Sequence, residues 1–249
     1  MGQAIFFKMD FPYKAALFDW AYTLVDLVNE EDRTALRIVY DHLVGLGHTL
    51  PDFRKFYDSY HHLFFGMIDL SRPTHREARF DQVLNYLLIQ SNVELKNQAG
   101  MEELLKLYYG EIYSHRLVYP DVEPALKELR QAGVRMGIVS NTTNPGPLKD
   151  HERRQVGLDG YFEFSIYSSE VPYRKPHPSI FQLALDRLKL GPKEVLFVGD
   201  NVQADVIGAQ HVGIPAAWLN RNGNVCPKGV HPTYEISSMA DLLTLSAPA

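Results

Sequence analysis

Short apolar runs recur along the chain at Ala15–Phe18, Val134–Val139, Phe164–Tyr167, Val195–Val198 and Ala216–Leu219, and most are followed by polar or small residues. Runs of that length, separated by helical patterns, read as strands buried on both faces, which calls for a parallel sheet with crossover helices. The helices between them are legible. The segment DVEPALKELRQAG opens on an acidic residue, Asp121, repeats apolar residues at Val122, Ala125, Leu126 and Leu129, and stops at Gly133, as a capped amphipathic helix does. HPSIFQLALDRLKLG does the same from Pro178 to Gly191. The expected class is therefore α/β. In an open parallel sheet a ligand lies at the carboxyl ends of the strands, so the residues just past each run are the candidates for chemistry.

Between the first two runs lies a segment, roughly 25–115, that no simple crossover needs. Phe53, Phe56, Tyr57, Tyr60 and Phe64 recur at helical spacing, as do Leu84, Leu87 and Leu88, and Leu104, Leu105 and Tyr108. An aromatic stripe of this kind is most simply the buried face of a helix, so an inserted helical unit with its own core is expected. A chain of 249 residues, 45% hydrophobic and 22% charged, has room for a sheet core and such an insertion. The formal net charge of -5 provides no basic footprint, so nucleic acid is not an expected partner. One cysteine, Cys226, excludes an internal disulfide and a thiolate metal site. The opening MGQAIFFKMDFPY has too short an apolar run for a signal peptide, and Phe6 stands where a myristoylation signal wants Ser or Thr. No stretch approaches about twenty uncharged apolar residues. A cytoplasmic protein without a membrane partner is the expectation, and no pattern speaks to its oligomeric state.

Four strand ends carry polar groups of distinct kinds. Asp19 and Thr23 follow the first run, SNTT from Ser140 the second, RKPHP with Lys175 the third, and GDNVQAD with Asp200 and Asp205 the fourth. Together these are the parts for phosphoryl transfer: a carboxylate nucleophile, a hydroxyl and a lysine for phosphate oxygens, and acidic residues for a hard divalent cation. Each part alone has a plainer reading as a turn, a helix cap or a surface charge. Their order and spacing favour the functional one.

With these residues in place the sequence resembles the haloacid dehalogenase superfamily, whose members set four short motifs at the strand ends of a Rossmann-like sheet. Asp19 and Thr23 fill its first motif, Asp-x-Asp-x-Thr; Ser140 fills the second, Lys175 the third, and Asp200 with Asp205 the acidic fourth. The resemblance implies a Rossmann-like parallel core from 1–24 and 116–249, and a helical cap, 25–115, that closes over the site and selects the substrate. It implies attack by Asp19 to form an aspartyl intermediate, with Lys175 and Ser140 neutralising the transferring group. Magnesium (Mg2+) would be held by Asp19, the main-chain carbonyl of Ala21, Asp200 and Asp205. The segment HPTYEISSMADLL looks like the family's last strand and helix.

The first motif departs from the phosphatase pattern, because its second aspartate, the acid and base of the reaction, is Ala21. A positioned general acid contributes about a hundredfold to ten-thousandfold in rate, so hydrolysis of alkyl phosphates should suffer most. Three readings follow. FDWA with Thr23 and Val25-Asp26 is similar to the phosphonoacetaldehyde hydrolases, which carry Asp-Trp-Ala here and use a cap lysine as a Schiff base; Lys55 is the candidate. A magnesium-dependent phosphatase could act on a small metabolite whose leaving group needs little help. Alternatively, it could draw the proton from the cap, where His61, His62, His75, Arg72, Arg76 and Arg79 are available. The arginines could also grip a second anionic group. The third reading is a binding or regulatory protein on a decayed hydrolase scaffold. The superfamily's true dehalogenases lack the Gly-Asp arrangement of this chain. The expected ligand is thus a small phosphorylated or phosphono compound, contacted by Asn141, Tyr22, Lys55 and Arg72. Tyr22 stands where a tight turn would favour glycine, and its ring either covers the substrate opening or packs under the cap.

Overall fold

A computed structural model of the chain describes residues 11–27, 30–95 and 98–247; Phe6 and the rest of the opening segment lie outside them. The first apolar run forms β1 (Ala15–Phe18), every residue of which is buried. After the Asp19 loop come a two-residue strand, β2 (Val25–Asp26), and four helices, α1 (Asp32–Gly45), α2 (Phe53–Ser71), α3 (Phe80–Gln90) and α4 (Gln98–Ser114). The chain returns through β3 (Leu117–Val118), which pairs antiparallel with β2. The rest alternates as α5 (Val122–Gln131), β4 (Arg135–Ser140), α6 (Gly146–Gln155), β5 (Phe164–Tyr167), α7 (Pro178–Leu188), β6 (Val195–Gly199), α8 (Gly208–His211), β7 (Ala216–Leu219) and β8 (Tyr234–Ile236).

The main sheet has the order β5-β4-β1-β6-β7-β8, and every pairing in it is parallel. This is an α/β Rossmann-like core. Phe18 stands opposite Ile138 on one side and Val198 on the other, so the loops after β1, β4 and β6 leave the same rim. The chain extends the sheet from β1 first through β4 to β5, then through β6 to β8. Such a reversal opens a crevice at the strand ends, which is where an open parallel sheet binds its ligands.

Alternate residues of the strands feed two clusters on opposite faces of the sheet: Ala16, Phe18, Leu196 and Val198 in one, Ala15, Leu17, Val195 and Phe197 in the other. The helices α1 to α4 have a third cluster of their own, with Leu36, Phe56, Tyr60, Leu84, Leu104 and Tyr108 among its buried members. Phe56 and Tyr60 of the aromatic stripe do bury in it, while Tyr60 and Phe64 also reach a cavity facing the sheet. Among the described residues no helix is long and apolar enough to cross a membrane.

Local signals erred where a tertiary partner intervened. Asp121 precedes α5 as expected but makes no capping bond; its carboxylate accepts from Arg221 and from the Met239 N–H instead. The helix α7 ends at Leu188 with Lys189 in the left-handed region (φ 54), ahead of Gly191. The expected final helix is a 3-10 segment, Met239–Thr244.

Candidate active site

Asp19 leaves β1 with its amide N–H donating to Val198 O at 2.9 Å, which ties the loop to β6. The next residues turn sharply: the N–H groups of Leu24 and Val25 both donate to Trp20 O, at 2.9 and 3.2 Å. That turn holds Tyr22 at φ 59, a region costing a residue with a Cβ about 1–2 kcal/mol. Thr23, fully buried, donates its hydroxyl to Asp200 Oδ1 at 3.3 Å and accepts the Asp200 N–H at 3.2 Å, so it positions Asp200.

Lys175 lies beneath the rim with its ammonium 2.7 Å from each of Asp19 Oδ1, Asp205 Oδ1 and Val139 O. Burial disfavours the ammonium, but Asp19 and then Asp205 outweigh it and hold the lysine above its ordinary pKa. Its backbone is clamped by Asn141, whose side-chain amide donates to Lys175 O at 2.9 Å and accepts the Lys175 N–H at 2.8 Å. Asn141, expected against the substrate, spends one donor and one acceptor of its side-chain amide on aligning Lys175. Ser140, buried at the end of β4, and Asn141 both border the cavity.

Asp200 and Asp205 complete the cluster. A Cβ on Gly199 would stand 2.3 Å from Asp205 Oδ2, so this close approach of loop and carboxylate needs glycine. Oxygens of Asp19, Asp200 and Asp205 lie within 4.8 Å of one another. Burial, then the charge of Asp19, pushes the Asp200 pKa up to about 6. Asp205 is also raised, by burial first, against the pull of Lys175. Three carboxylates facing one ammonium leave an excess of buried negative charge. An all-oxygen donor set of that charge fits a hard divalent cation such as magnesium.

Above Ala21, Ser140 and Asn141 lies a cavity of about 540 Å³, roofed by aromatic side chains of the helical unit, including Tyr60, Phe64, Phe80, Tyr108 and Tyr109. Asp19 and Lys175 do not line it, although their neighbours Trp20, Ala21, Ser140 and Arg174 do, and Asp200 borders a second hollow of about 340 Å³. Tyr22, half exposed, lines both. The roof is bolted to the core through Phe80 N–H to Thr143 O (3.0 Å), Ser168 Oγ to Glu77 Oε2 (2.6 Å) and Arg174 N–H to His75 O (2.8 Å).

Of the lysine, histidine and arginine candidates singled out in the insertion, Arg72 alone borders this cavity. Lys55 does not: its side chain is 77% exposed and pairs with Asp52, 3.5 Å away, at the start of α2. His61, His62, His75 and Arg76 are exposed, and Arg79 is paired with Asp81 at 2.7 Å. The local pattern could not say which way these residues face. Two groups went unnoticed in the sequence. Arg174, directly before Lys175, faces the cavity with Arg72 as a near cation and Glu77 as its partner at 3.2 Å. Lys149 and Glu152, spaced i, i+3 on α6 just after Ser140, bury with Arg116 against Trp20. Their spacing on a helix bordering a motif was the available signal.

The haloacid dehalogenase-like hydrolase family model matches residues 13–213. A glyceraldehyde 3-phosphate phosphatase of Pyrococcus abyssi is 28% identical over 208 residues, covering 83% of this chain and 81% of that protein. A solved phosphatase of the same superfamily from Thermococcus onnurineus is 30% identical, with a TM-score of 0.64 over 93% of this chain and 96% of that one. The 2-haloacid dehalogenase of Pseudomonas syringae shares the fold at a TM-score of 0.72, with 23% identity over 93% of this chain and 98% of its own. By the extent of these matches, the chain belongs to the haloacid dehalogenase-like hydrolase family.

Proposed function

We propose that the chain is a magnesium-dependent phosphatase for small phosphate esters, working through an aspartyl intermediate at Asp19. The observation that carries this reading is Lys175, held 2.7 Å from both Asp19 and Asp205 inside a cluster of three carboxylates. Lys175 engages one oxygen of Asp19 and leaves the other for attack on phosphorus, which breaks the ester bond. Water then attacks the aspartyl phosphate, releasing inorganic phosphate and restoring the carboxylate. Ser140 and Lys175 meet the phosphoryl oxygens, and Thr23 keeps Asp200 in place. Asp19, Asp200, Asp205 and the Ala21 carbonyl would hold magnesium, which supplies positive charge to the phosphoryl oxygens. The relatives named as phosphatases support the same chemistry.

Residues 25–115 act in this reading as a cap whose aromatic wall receives the leaving group. Arg72 and Arg174 both line the cavity, Arg174 paired with Glu77, and together suit an ester carrying a second anionic group. Tyr22, at the boundary of the two hollows, screens the attacked phosphorus from the solvent side. Because Lys55 is remote from the cavity, a phosphate ester is favoured over a phosphono aldehyde. The single free Cys226 is compatible with a reducing compartment, and we assign the protein to the cytoplasm. The test is phosphate release from 4-nitrophenyl phosphate, whose leaving group needs no proton. Turnover should require magnesium and disappear in Asp19→Asn. A wild-type protein inert with magnesium present would instead favour a regulatory role on the same scaffold.

A further inference from the structure

A phosphatase with alanine at position 21 still has to protonate an alkoxide as it departs. The carboxylates on the cavity wall are engaged by other donors: Asp32 accepts from the Tyr57 and Tyr60 hydroxyls, Glu77 from Ser168 and Arg174, and Glu30 from Arg116. Burial raises Tyr108 and Tyr109 well above the ordinary tyrosine pKa, which makes them weaker acids than a free phenol. Lys149 is different. It borders the cavity together with Trp20 and Ala21, yet is only 5% exposed.

An ammonium carries three N–H donors. One is given to Glu152 Oε2, and the cation rests 5.3 Å from the Trp20 ring centre and 5.9 Å from that of Tyr113. Ring faces attract a cation without consuming its directed hydrogen bonds in the way an oxygen does. The other oxygen of Glu152 takes the Trp20 indole N–H at 3.1 Å and the Arg116 guanidinium. Glu152 therefore fixes the ammonium relative to the indole that stands between Asp19 and Ala21.

Resting on the phosphatase reading, we propose that Lys149 stands in for the carboxyl missing at position 21, giving a proton from its ammonium to the leaving-group oxygen. As a carboxylate oxygen of Asp19 bonds to phosphorus, the ester bond breaks and its electron pair passes to the departing oxygen, which takes the Nζ proton. The resulting amine then accepts a proton from the water that attacks the aspartyl phosphate, and the ammonium is restored. The charged groups around Nζ are Glu152 on its own helix, Arg116 after α4 and Glu30 before α1. Burial lowers the Lys149 pKa most, Glu152 opposes this and Arg116 adds to it, with a net shift toward easier proton release.

The experiment compares kcat/KM on 4-nitrophenyl phosphate with that on whichever of phosphoglycolate, phosphoserine and glyceraldehyde 3-phosphate the wild type turns over fastest. Lys149→Met should lose about a hundredfold or more on the alkyl ester and far less on the aryl ester. Lys149→Arg, which keeps the charge and the Glu152 pair but releases no proton, should show the same selective loss. Adding Ala21→Asp to either variant should restore the alkyl ester. Equal losses on both esters, or no loss on the alkyl ester, overturn the assignment of Lys149 and leave the phosphatase reading standing. Wild-type turnover confined to the aryl ester also overturns it, and a wild type inert on both removes the phosphatase reading as well.

Discussion

Two largely buried clusters of charge, with Glu30 at the exposed edge of one, flank the Asp19 loop, and they are balanced differently. On the sheet rim, Asp19, Asp200 and Asp205 share a single ammonium, that of Lys175. On the cavity wall, Lys149 and Arg116 face Glu152 and Glu30, two cations against two carboxylates. The wall is complete within the protein, whereas the rim is left wanting a cation. A buried charge without compensation costs stability, so on the proposed reading a cation bound at the rim would stabilise the fold, while the wall ties the cap linkers to the core with no outside help. Glu30 and Arg116 lie on the two connections between helical unit and core, which is why the wall can act as a brace.

The contrast breaks most sharply at Asp19. On the proposed mechanism, replacing it by asparagine should lower kcat by at least about a thousandfold, since the attacking carboxylate is lost. The same change should raise the melting temperature of the metal-free protein, because it removes one of three mutually repelling carboxylates; a fall would mean that the rim is balanced after all. The wall should respond in the opposite sense. Glu152→Ala strands Lys149 and Arg116, and thermal denaturation should report a loss of about 3–5 kcal/mol, in magnesium or out of it.

A smaller effect separates the clusters by pH. Asp200, pushed up to about 6, binds more protons in the folded than in the unfolded chain between its ordinary carboxylate range and that value. Its contribution to stability is thus present at low pH and lost as pH rises through about 6, to a total of about 3 kcal/mol at roughly 1.4 kcal/mol per unit. Magnesium should offset this, so the gain in melting temperature on adding it should be larger at pH 8 than at pH 5. Equal gains at the two values would separate Asp200 from the metal. The smallest effect lies in the loop between the clusters. Tyr22→Gly relieves a left-handed backbone and should stabilise the protein by no more than about 1 kcal/mol, less the entropy that glycine adds to the unfolded chain. A loss of turnover with unchanged stability would place the Tyr22 ring against the substrate.

The rim was legible in the sequence because Asp19, Ser140 and Asp200 stand at or just past the ends of apolar runs, with Lys175 and Asp205 a few residues further on. Asp19, Ser140 and Asp200 are carried to one edge by parallel strands in register, and Lys175 reaches the same edge from the loop after β5. The bonding of Thr23 and Asn141 was less accessible: Thr23 spends its hydroxyl on Asp200, and Asn141 its amide on the backbone of Lys175. Lys55 and the paired histidines looked like candidates because they lie in the right segment, yet α2 points them to solvent. Arg116, Glu152 and Trp20 meet although Arg116 and Trp20 are separated by the whole helical unit, and no local pattern links them.

What the sequence by itself determined is the sheet, the gathering of the rim residues at one edge and the absence of a carboxyl at position 21, since these depend on short-range periodicity and on strand ends that share an edge by construction. Which side chains the helical unit turns toward the cavity was decided only by the tertiary structure. Helix rotation and the seating of the two linkers come from packing between segments far apart in the chain, and that packing brings Lys149 and Arg72 to the cavity and leaves Lys55 outside it.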